Sequence, residues 1–117
     1  MKAKIKKKPR IFKVGKDKKI KIKDYGKILL SPDEQISFIK KDFSKNDIIR
    51  KSWGFYATQS VNKRLKKRFK TAVVINQQKK IYIMLVEKKY KKNFDKYCKE
   101  ENQKVLFWLD EFKNTKL

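Results

Sequence analysis

Two short apolar runs constrain this chain most. Thr71 to Ile75 and Ile81 to Val86 are each continuous in non-charged, mostly β-branched or aromatic residues, and Asn76-Gln77-Gln78-Lys79-Lys80 separates them. Runs of this length are too short for buried helices and suit strands. The polar break between them predicts an antiparallel hairpin in the middle of a sheet, with both strands shielded from water on both faces. Gln103 to Leu109, which contains Trp108, predicts a further strand. No stretch approaches the roughly 18 apolar residues of a membrane span.

The segment before these runs also reads as β. Lys27 to Leu30 and Gln35 to Lys40 predict short strands, with turns at Asp24-Tyr25-Gly26 and Ser31-Pro32-Asp33-Glu34. Lys45-Asn46-Asp47 reads as a polar turn. Asp47 to Thr58 carries Ile48, Ile49, Trp53, Phe55 and Tyr56, with Gly54 marking a bulge or close approach.

Two helices fit between the strands. Lys88 to Glu101 puts Tyr90, Phe94, Tyr97 and Cys98 on one stripe, opposite a lysine-rich face. Gln59 to Phe69 puts Val61, Leu65 and Phe69 at i, i+4 and i+8, with Thr58 or Ser60 placed to cap it. The expected fold class is α+β: a small, mostly antiparallel sheet with two helices packed on one face, preceded by a basic N-terminal arm. Residues 1–23 are the expected arm, flexible or tracking phosphates, and residues 24–117 the expected single domain. Within the arm, alternation around Ile20 and Ile22 is compatible with a short edge strand.

The charge bears on function. The chain has 117 residues, 35 Lys or Arg and 12 Asp or Glu, a formal net charge of +23. An AT-rich coding sequence favours Lys, Ile and Asn, but it equally permits Asp and Glu, so the shortage of acids is a physical property of the protein. Residues 1–23 hold twelve basic residues against Asp17 alone, and residues 61–71 hold six and no acid. Such a charge repels itself and attracts polyanions.

Several chemistries are excluded by composition. The absence of His removes His general bases, Ser-His and Cys-His pairs and His metal ligands. A single cysteine, Cys98, removes an intrachain disulfide and Cys-cluster metal sites, and its place on the apolar stripe reads as buried and inert. The acid pairs Asp33-Glu34, Glu100-Glu101 and Asp110-Glu111 are adjacent in sequence and do not converge as an acid–base dyad. No P-loop or dinucleotide glycine pattern is present, and no cofactor or catalytic residue is assigned.

The candidate binding residues lie in two places. The stretch from Arg50 to Arg68 supplies Arg50, Lys51, Trp53, Tyr56, Thr58, Ser60, Asn62, Lys63, Arg64, Lys66, Lys67 and Arg68. A helix beginning near Ser60 would turn free N–H groups toward an anion, Thr58, Ser60 and Asn62 would add donors, and Trp53 or Tyr56 would offer a stacking face. The plainer reading makes the aromatics core and Ser60 only a cap. In the arm, Lys6, Lys7, Lys8 and Arg10 are the phosphate contacts. The expected function is nucleic-acid binding, RNA before DNA, through phosphate contacts in the cytoplasm. Two alternatives stand beside it: a small phosphorylated or anionic ligand held by the Trp53–Arg64 segment, and an acidic protein partner.

Overall fold

The computed structural model describes residues 1–41 and 45–112. The chain is mostly β: eight strands form three antiparallel sheets, and there is one α-helix among the described residues. The expected α+β layout, with two helices on one sheet, is overturned by this. The chain divides into two units, Met1–Thr58 and Gln59–Leu117. The last five residues of the expected domain lie outside the described residues.

The first unit holds two sheets. Strands β1 (Lys2–Val14) and β2 (Ile20–Leu29) pair as a two-stranded antiparallel ribbon. The segment expected as an arm is therefore all of β1 and the start of β2, and residue 23 falls inside a strand rather than at a boundary. Its alternation is legible in Lys2-Ala3-Lys4-Ile5 and in Phe12-Lys13-Val14, but Lys6-Lys7-Lys8-Pro9 hides it. Those four residues lie in the register shift between Ile5 and Arg10, opposite only Tyr25. Pro9 has no N–H to give the ladder, which accounts for an irregularity there. The turn expected at Asp24-Tyr25-Gly26 becomes the matching bend in β2. Asp24 Oδ1 accepts the Gly26 N–H at 3.0 Å, as a turn would, while the strand continues.

The second sheet orders β3 (Gln35–Ile39), β4 (Lys45–Lys51) and β5 (Gly54–Ala57) as neighbours. Lys45-Asn46-Asp47, expected as a turn, opens β4: Ser37 pairs with Asp47, and the Ser37 hydroxyl donates to its carboxylate. β4 and β5 are joined by the two-residue turn Ser52-Trp53.

In the second unit, β6 (Phe69–Ile75) lies between β7 (Ile81–Glu87) and β8 (Lys104–Trp108). The 71–75 and 81–86 runs do pair with each other, Val73 opposite Ile83. Only β6 is buried as expected, with Phe69, Thr71, Ala72 and Val74 withdrawn from water. β7 is an edge strand, and Ile81, Ile83 and Leu85 are exposed. The reason is a missing layer: helix α1 (Lys91–Glu100) follows a 3-10 turn at Lys88–Tyr90 and serves one face of the sheet. Phe94 of α1 meets Trp108 of β8 edge-on, ring centroids 5.8 Å apart, and Cys98 is buried. The helix stops where Asn102 takes a left-handed φ of 50°. The Gln103 N–H bonds the Cys98 carbonyl at 2.8 Å and the Asn102 N–H bonds the Lys99 carbonyl at 3.4 Å.

The second expected helix, Gln59 to Phe69, does not form. Its residues make turns and one 3-10 turn at Leu65–Lys67, and Phe69 becomes the first residue of β6. A stretch this short holds a helix only where its apolar face packs, as α1 does through Phe94 and Cys98. Lys63–Lys67 and Arg64–Arg68 would also set like charges four apart, each pair unfavourable by about 0.2–0.5 kcal/mol. Burying Phe69 in the sheet overrides a stripe of three apolar residues. No helix among the described residues is long and apolar enough to cross a membrane.

Candidate nucleic-acid interface

The ribbon, with its turn, carries the largest share of the charge, thirteen of the 35 basic residues. Antiparallel partners share a face, so the register sets Lys4 directly opposite Lys27 and Lys13 directly opposite Lys21. Lys23 lies two residues along from Lys21 and on its face. Around Lys13, the other face gathers Phe12, Val14, Ile20 and Ile22. In this half the ribbon is therefore mostly basic on one side, where Ile11 opposite Lys23 is the apolar exception, and apolar on the other beyond the Arg10–Asp24 pair. Of the arm residues, Lys6, Lys7 and Lys8 are exposed within the irregular stretch of β1. Arg10 is partly spent: it pairs with Asp24 at 3.3 Å and lies over the Phe12 ring at 4.6 Å. The Gly26 N–H, and then Arg10, hold the Asp24 carboxyl below its ordinary range.

The aromatic stretch is exposed and not core. Trp53, at the tip of the β4–β5 turn, is 70% exposed, and it stacks on Tyr56 with ring centroids 6.1 Å apart and planes 20° from parallel. Lys51 and Tyr56 share a face of this hairpin, because Lys51 opposes Gly54 and Ile49 opposes Tyr56. Arg50 opposes Phe55 and points to the other face. Lys51 is not a free cation. The Asp33 carboxylate accepts from its ammonium, and that hydrogen bond and charge raise its pKa.

The rest of the candidate stretch is distributed over both units. Thr58 closes the first unit, its N–H bonded to the Asp47 carbonyl at 3.0 Å. Ser60, Asn62, Lys63, Arg64, Lys66, Lys67 and Arg68 belong to the second. The helix start expected to cradle an anion is absent, and its N–H groups turn inward. Ser60 Oγ accepts the Arg64 N–H at 3.0 Å, and the Ser60 carbonyl accepts the Leu65 N–H at 2.9 Å and the Lys63 N–H at 3.4 Å. The turn thus spends on itself three of the N–H donors that a helix start would have offered an anion. What it does present is charge: Lys63, Arg64, Lys66, Lys67 and Arg68 are exposed around the buried Leu65. Lys70, the last base of that run, faces inward, with its ammonium on Asp110 and Glu111.

The sequence reading missed Lys4, Lys13, Lys21, Lys23 and Lys27 as a set. The available signal was alternation on both sides of Gly15-Lys16-Asp17-Lys18, a hairpin turn in which Gly15 and Lys18 both take positive φ. Comparison with protein-family models, with curated proteins and with solved structures returns no match.

Proposed function

We propose that this chain is a cytoplasmic nucleic-acid-binding protein that grips phosphates through the β1–β2 ribbon and the 63–68 turn. The observation that carries the reading is the cross-strand pairing of lysine with lysine, Lys4 with Lys27 and Lys13 with Lys21. Like charges directly opposite each other destabilise a ribbon. A phosphate between them converts that repulsion into two charge-assisted contacts. Single-stranded RNA is the favoured form of the ligand. The Trp53–Tyr56 stack is open to solvent, and an exposed aromatic face suits an unstacked base rather than a paired one.

The test is anisotropy with labelled single-stranded RNA, single-stranded DNA and duplex at several salt concentrations. Binding to all three is expected at low salt, falling by about 0.7–0.9 in log K per log salt for each phosphate neutralised. Trp53→Ala should weaken the single strands by the loss of one stacked base, about 1–3 kcal/mol, and leave the duplex unchanged. No binding at about 50 mM salt rejects the reading. Equal loss on duplex and single strand rejects the stacking role.

A further inference from the structure

We propose that the outer edge of β7 is a docking site for an extended segment of an acidic protein partner, added as a fourth strand to the β7-β6-β8 sheet. This site is separate from the nucleic-acid contacts and rests on different observations.

The first is the direction of the backbone groups. Asn76 N–H bonds the Lys80 carbonyl at 3.0 Å and Lys88 N–H bonds the Arg68 carbonyl at 2.8 Å. The register between these points is unbroken, Phe69 opposite Glu87 through Ile75 opposite Ile81. Bonded and non-bonded pairs alternate along an antiparallel ladder. Tyr82, Met84 and Val86 therefore exchange bonds with β6, and Ile81, Ile83 and Leu85 turn their N–H and C=O groups outward. No strand lies on that side of β7 among the described residues.

The second is the side chains. Ile81, Ile83 and Leu85 also project from the face that α1 does not cover, and Ile83 is 68% exposed. With Val73 and Phe107, Ile83 makes one apolar row across all three strands. The same three residues thus offer main-chain pairing and alternate apolar contacts, the two requirements of strand addition.

The third is protection. Sheet edges are normally blunted by shortness, bulges, Pro or charge. β8 is five residues long and is irregular at Leu106, which the pairing with Val73 and Val74 of β6 skips. β7 is seven residues long, regular, and free of Pro, Gly and Lys from Ile81 to Val86. Its charges sit only at the ends: Lys79-Lys80 before it, and Glu87 then Lys88-Lys89 after it.

Those ends select the occupant. A second copy of this chain paired in parallel would bring lysine pairs against lysine pairs, and paired antiparallel about Ile83 it would set only Lys79 against Glu87 and leave the other flanking lysines uncompensated, so self-pairing is disfavoured. A segment with alternating apolar residues and acids at both ends matches the strand and its flanks together.

The probe is a labelled ten-residue peptide with two glutamates at each end and alternating valine and threonine between, beside a version with lysines in place of the glutamates. Amide exchange in the wild-type protein is the primary readout. At about 1 mM acidic peptide, the Ile81, Ile83 and Leu85 amides should gain protection, while those of Tyr82 and Met84, already bonded to β6, change little. The acidic peptide should bind at least about tenfold more tightly than the basic one. Ile83→Pro removes an outward N–H and no β6–β7 bond, and should abolish the added protection without melting the sheet. Three results overturn the proposal: equal binding of the two peptides, protection confined to lysine-rich segments elsewhere, or a wild-type dimer that Ile83→Pro converts to monomer. The wild-type exchange data decide the matter if the proline variant does not fold.

Discussion

Lys70 Nζ lies 3.3 Å from Asp110 Oδ2, joining the start of β6 to the 3-10 turn Leu109–Glu111 that follows β8. The Asp110 side chain is 1% exposed, and its other oxygen accepts the Thr71 N–H at 2.8 Å. Lys70 also reaches Glu111 at 2.9 Å and lies over the Trp108 ring at 4.7 Å. One lysine of a run that reads as a basic surface is thus drawn inward, because a buried carboxylate needs a cation.

Asp110 should therefore govern the acid limb of stability. Burial is the largest single influence on its carboxyl and pushes the pKa up, but the Thr71 N–H and Lys70 together outweigh it and hold the value below the ordinary range. A depressed carboxylate contributes stability that is complete above its unfolded value, about 3.9, and is lost as pH falls through the lower folded value. The melting temperature is expected to be flat near neutrality and to fall below about pH 4. Asp110→Ala strands the Thr71 N–H and should cost about 3 kcal/mol at pH 7. Asp110→Asn keeps an acceptor there, should cost less, and should remove part of the acid step. An acid limb identical in wild type and Asp110→Asn contradicts this.

At the other end of the pH scale the same pair acts through Lys70. The Glu111 hydrogen bond, the largest influence, raises its pKa; burial opposes, and Asp110 adds to the rise. A raised cation contributes stability fully present below its unfolded value, about 10.4, and lost as pH rises through the folded one. Lys70→Met should flatten the alkaline limb of the melting curve above about pH 10.

Lys13→Glu should move stability and binding in opposite directions. It replaces a lysine facing Lys21 by an opposite charge, a change of about 0.2–1 kcal/mol in favour of the free ribbon. In the proposed mode of binding it also removes one phosphate contact, so the salt slope of RNA binding should shrink by about 0.7–0.9. Slower amide exchange in β1 together with weaker binding is the expected pattern. Unchanged binding would place the phosphates elsewhere.

Gly26→Ala should open the ribbon. A Cβ there would stand 1.9 Å from the Lys4 carbonyl oxygen, and Gly26 has φ +133°, which other residues rarely adopt. Backbone cannot swing aside as a side chain does, so about 2 kcal/mol or more is expected, read as faster amide exchange across β1 and β2.

Phe94→Ala tests the single helix. Truncating a fully buried Phe costs about 3–5 kcal/mol. Phe94 is only half-buried against Trp108, so about 2 kcal/mol is expected in a thermal or denaturant melt. A melt indistinguishable from wild type would mean that α1 does not cover the sheet. Added salt should raise the wild-type melting temperature by screening the lysines.

Sequence alone determined the elements with local signals. The 71–75 and 81–86 runs pair as strands because a short apolar run bounded by polar residues has few other solutions. The Tyr90–Phe94–Tyr97–Cys98 stripe makes a helix because opposite charges, Lys91 with Asp95 and Lys96 with Glu100, stand four apart along it, and Asn102 stops it. The chain's own net charge of +23 is likewise written in composition. Tertiary structure decided what depends on distant partners. The 59–69 stripe yields to Phe69 joining β6, since a short helix with like charges four apart gains less than a buried aromatic. Residues 2–14, too lysine-rich to read as a strand, become one by pairing with 20–29. Lys70 turns inward because Asp110, forty residues away, sits beneath it. β7 ends at an open edge because this chain supplies β6 on one side of it and nothing on the other among the described residues, and hydrophobicity along a sequence carries no count of layers.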